Sequence, residues 1–266
     1  ETVWRQADKF KVPRICFINK LDRLGANFEK SFYSILERLT PNAVVVQIPI
    51  GLEEKHEGLI DLLKMKAYKF EGKFGEKVIE EEIPGELRAI AETKRKELTE
   101  KIAEQDEKLL DRYFAGEEIG ETELKRVLRQ ATIDYRLVPV FCGSALKNKG
   151  VQLLLDGVAD YLPSPIDLPA VEGFDPDDET KQLIREPKDE APFAALAFKV
   201  ATDPFVGQLT YFRVYSGVLA SGSYILNANT GQKERIGRIL RMHADKREEI
   251  KEIDAGGIGA LVGLKA

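Results

Sequence analysis

Cysteine, histidine and tryptophan are all but missing from this sequence: 266 residues hold two Cys, two His and one Trp. Cys16 and Cys142 each sit inside an apolar run. They read as small core thiols in a reducing, cytoplasmic compartment, with no disulfide framework and no metal site expected. No apolar stretch approaches the roughly 18 to 20 residues of a membrane span, and the start carries no secretory h-region. A large excess of one charge is missing too. With 45 acidic and 40 basic side chains the formal net charge is -5, which argues against nucleic-acid binding by the whole surface and leaves room for a local basic patch. Hydrophobic content of 43% with 32% charged describes a globular chain, long enough for one large or two ordinary domains.

The stretch richest in chemistry is Arg14-Ile15-Cys16-Phe17-Ile18-Asn19-Lys20-Leu21-Asp22-Arg23. Ile15 to Ile18 shows no polar alternation, which predicts a buried parallel strand, and ligands of open α/β sheets sit just past the carboxyl ends of such strands. Asn19 to Asp22 occupy that place. A carboxylate at Asp22 can accept two parallel hydrogen bonds, from N1-H and the 2-amino group of guanine, whereas adenine offers neither donor there. Asn19 can set its amide on the base edge or tie neighbouring loops together, and the methylene stem of Lys20 can lie along the face of the base. Taken alone, these residues also fit a polar strand-to-helix turn.

A second apolar strand, Val138-Pro139-Val140-Phe141-Cys142, runs into Gly143-Ser144-Ala145-Leu146. This loop resembles the Ser-Ala-Leu or Ser-Ala-Lys loop of guanine-nucleotide-binding proteins. The resemblance implies that the Ala145 N-H donates to guanine O6 and that the Ser144 hydroxyl braces Asp22. An acceptor-seeking N-H beside a donor-seeking carboxylate suits guanine and repels adenine. The pair of loops is far more specific than either one.

Helical spacing marks Phe28 to Leu39, closed by Pro41, and Ala43 to Ile50 reads as one strand through its Val44-Val45-Val46 run. From there to Ser144 lies an insertion longer than a βαβ crossover needs. It holds short strands around Gly72 and Gly75, then helices marked by Leu87 to Ile102, Leu109 to Phe114 and Leu124 to Ala131. Val151 to Leu162 is a further helical stripe, ended by Pro163 and Pro165. Six of the chain's twelve prolines fall between Pro163 and Pro192, around the acidic cluster Asp175-Pro176-Asp177-Asp178-Glu179, and this composition reads as a domain junction. Beyond it, strand candidates at Phe193 to Val200, Gln208 to Tyr215, Tyr224 to Asn227, Glu234 to Met242 and Ile258 to Leu264 suggest a small barrel. Lys233, Arg235, Arg238, Arg241, Lys246 and Arg247 make it locally basic. His56 and His243 read as surface residues.

Together these pieces resemble bacterial translation elongation factor G over essentially the whole length. The carrying motifs are Asn-Lys-Leu-Asp at Asn19, Gly-Ser-Ala-Leu-Lys-Asn-Lys-Gly-Val at Gly143 to Val151, Tyr161-Leu162-Pro163-Ser164-Pro165, Asp203-Pro204-Phe205-Val206-Gly207, Val214-Tyr215-Ser216-Gly217 and Leu240-Arg241-Met242-His243. The resemblance implies an α/β fold class: part of a P-loop-type GTPase domain, with a mostly parallel sheet and a helical or mixed insertion, followed by an all-β barrel domain. Residues 1-168 would be the carboxyl-terminal part of the G domain with its insertion at about 41-135, residues 169-191 a linker, and 192-266 a truncated barrel. It also implies GTP or GDP as ligand, transfer-RNA and messenger-RNA translocation as the parent activity, and the ribosome as partner. The barrel would face small-subunit RNA and the insertion the stalk protein. No membrane is implied.

What the sequence lacks bears on this expectation. There is no G-x-x-x-x-G-K-[ST], hence no phosphate cradle and no hydroxyl for Mg²⁺, which would be bound only in the full-length protein. No catalytic residue is expected in this segment. Losing three charge-assisted hydrogen bonds to phosphate removes roughly 4 to 9 kcal/mol, or about three to six decades of affinity. Release factor 3 and ribosome-protection factors share the loops and the barrel, and a ribosome- or RNA-binding module without nucleotide binding also fits.

Overall fold

A computed structural model describes residues 1-176, 178-203, 206-244 and 246-264, with the backbone alone at Glu179. Asp177 of the acidic cluster, Pro204 and Phe205 of the Asp203 to Gly207 run, and Lys265 and Ala266 lie outside the described residues. The chain divides into two compact units, Glu1–Leu162 and Pro163–Ala266.

The first unit opens with helix α1 (Thr2–Lys9), strand β1 (Cys16–Ile18), helix α2 (Phe28–Arg38) and strand β2 (Ala43–Val45). The Asn27 side chain starts α2 by accepting the Lys30 N-H at 2.8 Å, with Glu29 in the first turn and Arg38 in the last. An antiparallel sheet follows: β3 (Gln47–Ile50), β4 (Gly58–Asp61), β5 (Lys66–Glu71) and β6 (Lys77–Glu81). Helices α3 (Gly85–Ala103), α4 (Glu107–Phe114) and α5 (Glu121–Ile133) come next, then β7 (Val138–Cys142) and α6 (Val151–Tyr161).

The run Ala43 to Ile50, expected as one strand, is two. Val46 is the hinge: its N-H donates to Val140 O and its own carbonyl accepts the Leu62 N-H, so the chain leaves one sheet and enters another at this residue. The first sheet is parallel, in the order β1-β7-β2, with Cys16 opposite Val140 and Val44 opposite Pro139. All five residues of the middle strand are buried, as parallel strands covered on both faces require. The inserted sheet and helices share one apolar core with it. Leu21, Leu59, Ile60, Leu62, Ile102, Leu109, Leu124 and Leu128 all lose nearly all solvent contact within that core. Two arginines lock helix ends and turns. Arg95 of α3 donates to the carbonyls of Leu62 and Leu63, and Arg129 of α5 donates to those of Ala159, Asp160 and Leu162, which the end of α6 leaves unpaired.

The second unit is antiparallel. The stretch expected as a linker holds a hairpin, β8 (Val171–Asp175) with β9 (Asp178–Arg185). Then come β10 (Ala194–Asp203), β11 (Gly207–Ser216), β12 (Leu219–Ala220), β13 (Tyr224–Asn227), β14 (Gln232–Arg235), β15 (Arg238–His243), β16 (Lys246–Ile250), β17 (Glu252–Ile253) and β18 (Ile258–Val262). The largest sheet runs β10-β11-β18-β15-β16. Phe212 and Val214 alternate inward along β11 onto Ile236, Ile239 and Leu261, the period of two that a half-buried strand shows. The predicted strand Glu234 to Met242 breaks at Ile236-Gly237, because the Ile236 N-H turns to Ser223 O and β14 and β15 join different sheets. β10 forms an edge, with Leu196, Phe198 and Val200 more than half exposed. Among the described residues no helix is long and apolar enough to cross a membrane.

Candidate functional site: two loops at the end of a parallel sheet

Parallel pairing sets the site. Ile18 stands opposite Cys142 at the ends of β1 and β7, so the loops that follow leave the sheet side by side. Backbone bonds continue the ladder past both strands: Gly143 N-H donates to Ile18 O at 3.1 Å, and Leu21 N-H to Gly143 O at 3.2 Å. The second loop then folds back on itself through reciprocal bonds between Ser144 and Lys149, each 2.9 Å. A Cβ on residue 143 would lie 2.1 Å from the Lys149 carbonyl oxygen, so the reversal requires glycine there.

The two loops meet through side chains. Asn19 Oδ1 accepts the Ala145 N-H at 2.9 Å and the Lys20 N-H at 2.7 Å. Of the two roles open to Asn19, it performs the loop-tying one, and the Ala145 N-H expected on a base oxygen points at this carboxamide. Lys20 stands in the left-handed region, φ 64°, which carries the backbone sharply past Asn19. Leu21 is buried and anchors the turn, leaving Asp22 half-buried beside it. A hydrogen bond from Ser144 holds the Asp22 carboxyl below the ordinary carboxylate range, with the Lys147 charge adding to the effect. Ser144 is fully buried, and its hydroxyl oxygen also accepts the Lys147 N-H at 3.3 Å. Lys20 is exposed, and the Leu146 side chain stands in solvent. Asn19, Lys20, Asp22, Ser144, Ala145 and Leu146 are thus on two adjoining loops. Among the described residues no group of three His, Cys, Asp or Glu is placed to hold a metal ion.

Several neighbours of these loops escaped the sequence reading. Glu53, just after β3, donates its N-H to Leu21 O at 2.7 Å and accepts the Gly25 N-H on Oε1 at 2.6 Å. Lys149 Nζ donates to His56 O, and Gln152 Nε2 donates to Gly75 O at 2.9 Å. His56, expected on the surface, is 2% exposed. Its Nδ1 lies 3.3 Å from Gly51 O and its Nε2 finds no partner, so burial lowers its pKa and keeps the ring neutral. His243 is exposed. No local periodicity marks Gly51 to Gly58. Its polar letters suit a surface loop, and only the fold shows that the loop lies under Asp22.

Residues 1–164 match the family model described as the elongation factor Tu GTP-binding domain, and residues 207–266 match elongation factor Tu domain 2. The chain is also similar to a crystal structure of a protein from Thermus thermophilus, with 27% identity and a TM-score of 0.76. That likeness covers 100% of this chain and 38% of the Thermus chain, so the sequence spans well under half the length of that relative. The first unit, with its two convergent loops, and the antiparallel unit that follows it in sequence place the chain in the family of the elongation factor Tu GTP-binding domain, joined to a domain 2 of the same factor type.

Proposed function

We propose that this chain carries the guanine-selecting part of a ribosomal translocation GTPase of the elongation factor G type. The observation that supports the reading is the convergence of Asp22, braced by Ser144, with the Ala145 N-H on the neighbouring loop. A carboxylate kept ionised is an acceptor for guanine N1-H and the 2-amino group, and the adjacent amide is a donor for O6. Adenine presents the opposite pattern to both. Asn19 shares or exchanges its hold on the Ala145 N-H when the base enters, and the Lys20 stem covers one face. Backbone rather than side chain serves at Leu146. In the full-length factor the phosphates and Mg²⁺ would be held elsewhere, and GTP hydrolysis would drive transfer-RNA and messenger-RNA movement.

On this reading residues 1-168 belong to the G domain, with the insertion at about 41-135, and 192-266 to the barrel domain. The exposed basic side chains Lys233, Arg235 and Arg238 on β14 and β15 suit small-subunit RNA backbone, and the charged outer faces of α3 to α5 suit the stalk protein. Isothermal titration of the chain with GDP and with ADP tests the base reading: GDP should bind measurably more tightly, and equal affinity would defeat it. Co-sedimentation with ribosomes at low salt tests the partner, and a chain that stays in the supernatant would remove the ribosome from the proposal.

A further inference from the structure

The insertion holds the two loops of the site at three points, one on the loop bearing Asp22 and two on the segment that follows Ser144. Glu53 brackets the loop: its main-chain N-H donates to the Leu21 carbonyl at 2.7 Å, one residue before Asp22, and its side-chain Oε1 accepts the Gly25 N-H at 2.6 Å, three residues after it. Glu53 adopts φ 58°, a conformation that L side chains rarely hold, and Gly51 turns just before it at φ 70°. A strained residue that holds two separate points of one loop, one of them 28 positions away, is over-determined by its surroundings. The second point is Lys149, whose ammonium closes onto the His56 carbonyl. The third is Gly75, whose carbonyl accepts from Gln152 and Asn148, while a Cβ there would lie 2.6 Å from the Lys147 carbonyl oxygen. One apolar core runs under all of these contacts, so the insertion is a fixed abutment.

We propose that Glu53 is a positioning residue for base selection: it fixes the Leu21 to Gly25 loop so that the Asp22 carboxylate meets both guanine donors at once. The proposal rests on the reading of Asp22 as the base acceptor. A carboxylate aimed at two donors about 2 to 3 Å apart tolerates little rotation, and an unclamped loop keeps one bond at the expense of the other. Glu53 thereby governs discrimination against a base lacking the 2-amino group.

The test uses the whole chain and the variants Glu53→Ala, Glu53→Asp and Glu53→Gln. Without nucleotide, amide hydrogen exchange by NMR should show the Gly25 N-H exchanging about tenfold faster in Glu53→Ala, and near the wild-type rate in Glu53→Gln, which keeps an Oε1 acceptor. With nucleotide, the wild type should prefer GDP to IDP, whose hypoxanthine base lacks the 2-amino group. Glu53→Ala should weaken GDP about tenfold and bring the GDP-to-IDP ratio towards one, and Glu53→Gln should restore both. Should Glu53→Ala fail to fold, Glu53→Asp keeps the charge but falls one methylene short and should narrow the ratio in the same way. A purely structural role would lower the melting temperature and leave the ratio alone, and that result overturns the proposal. A wild type that binds GDP and ADP alike removes the base reading and this inference with it. A wild type that prefers GDP, with variants that keep its ratio, removes this inference only.

Discussion

The Ala145 N-H donates to Asn19 Oδ1 at 2.9 Å across 126 positions of sequence. That carboxamide oxygen also takes the Lys20 N-H, so a single atom closes its own turn and joins it to the next loop. Asn19→Ala leaves both donors to water. The site is exposed, so the loss should be modest, about 0.5 to 1.5 kcal/mol. Chemical denaturation should register it, and NMR should show faster exchange at Ala145 with little change at Val140 inside the sheet.

Asp22 offers two acceptor oxygens, whereas Asp22→Asn offers one acceptor and one donor. Guanine then loses a partner for one of its donors, and xanthine, with a carbonyl in place of the 2-amino group, gains one. The variant should weaken GDP by about 10 to 100-fold and favour XDP, as competition binding would reveal. Unchanged GDP preference would show that this carboxylate does not read the base.

Gly157 in α6 faces the ring of Phe141. A Cβ added there would stand 2.2 Å from Cζ of a ring that is 3% exposed and packed at 6.2 Å from the Tyr161 ring. Alanine favours helix over glycine by up to about 1 kcal/mol, but overpacking costs about 1 to 3 kcal/mol, so Gly157→Ala should destabilise the first unit by about 1 to 2 kcal/mol. Gly85 supplies the control. Nothing lies within 4 Å of its would-be Cβ at the start of α3, and Gly85→Ala should be neutral or stabilising by thermal denaturation.

Stability should fall with acid in two stages. His56 is held below its usual pKa by burial, so the folded protein binds fewer protons than the unfolded chain as pH drops below about 6.5. The stability is complete above that value and is lost as pH falls towards the folded pKa. Asp22, also held low, adds a loss that begins near about pH 4 and continues downward. Half-buried Asp61 runs the other way, since desolvation raises its pKa and favours the folded state as it protonates. His56→Asn can still donate to Gly51 O but cannot titrate. Its denaturation midpoint should therefore fall less steeply than the wild type's as pH drops below about 6.5.

Local pattern sufficed where local pattern was the cause. The apolar run Ile15 to Ile18 was legible as a parallel strand, although it is the edge strand Cys16–Ile18 with only Ile18 buried; Val138 to Cys142 is the fully covered one, and the loops after them were legible as neighbours once both strands were assigned to one sheet. Val46 defeated the same reasoning. Its letters continue a valine run, while its N-H and carbonyl answer to Val140 and Leu62, two partners that no window of eight residues contains. Glu53 and His56 are harder still. A polar stretch between two strands has the composition of solvent-facing loop, yet His56 is buried and its carbonyl accepts from Lys149, 93 positions away. Base chemistry can be read from residue types, but the support beneath it depends on long-range packing.

The order β1-β7-β2 puts the last of three strands between the first two. During synthesis at about 5 to 20 residues per second, β1 waits roughly 6 to 25 s before β7 can emerge to pair with it. In that interval residues 47 to 133 already hold every strand and helix of the insertion, whose contacts are close in sequence and form early. The parallel sheet therefore cannot close until its last strand has been made, because β1 and β2 are joined only through β7.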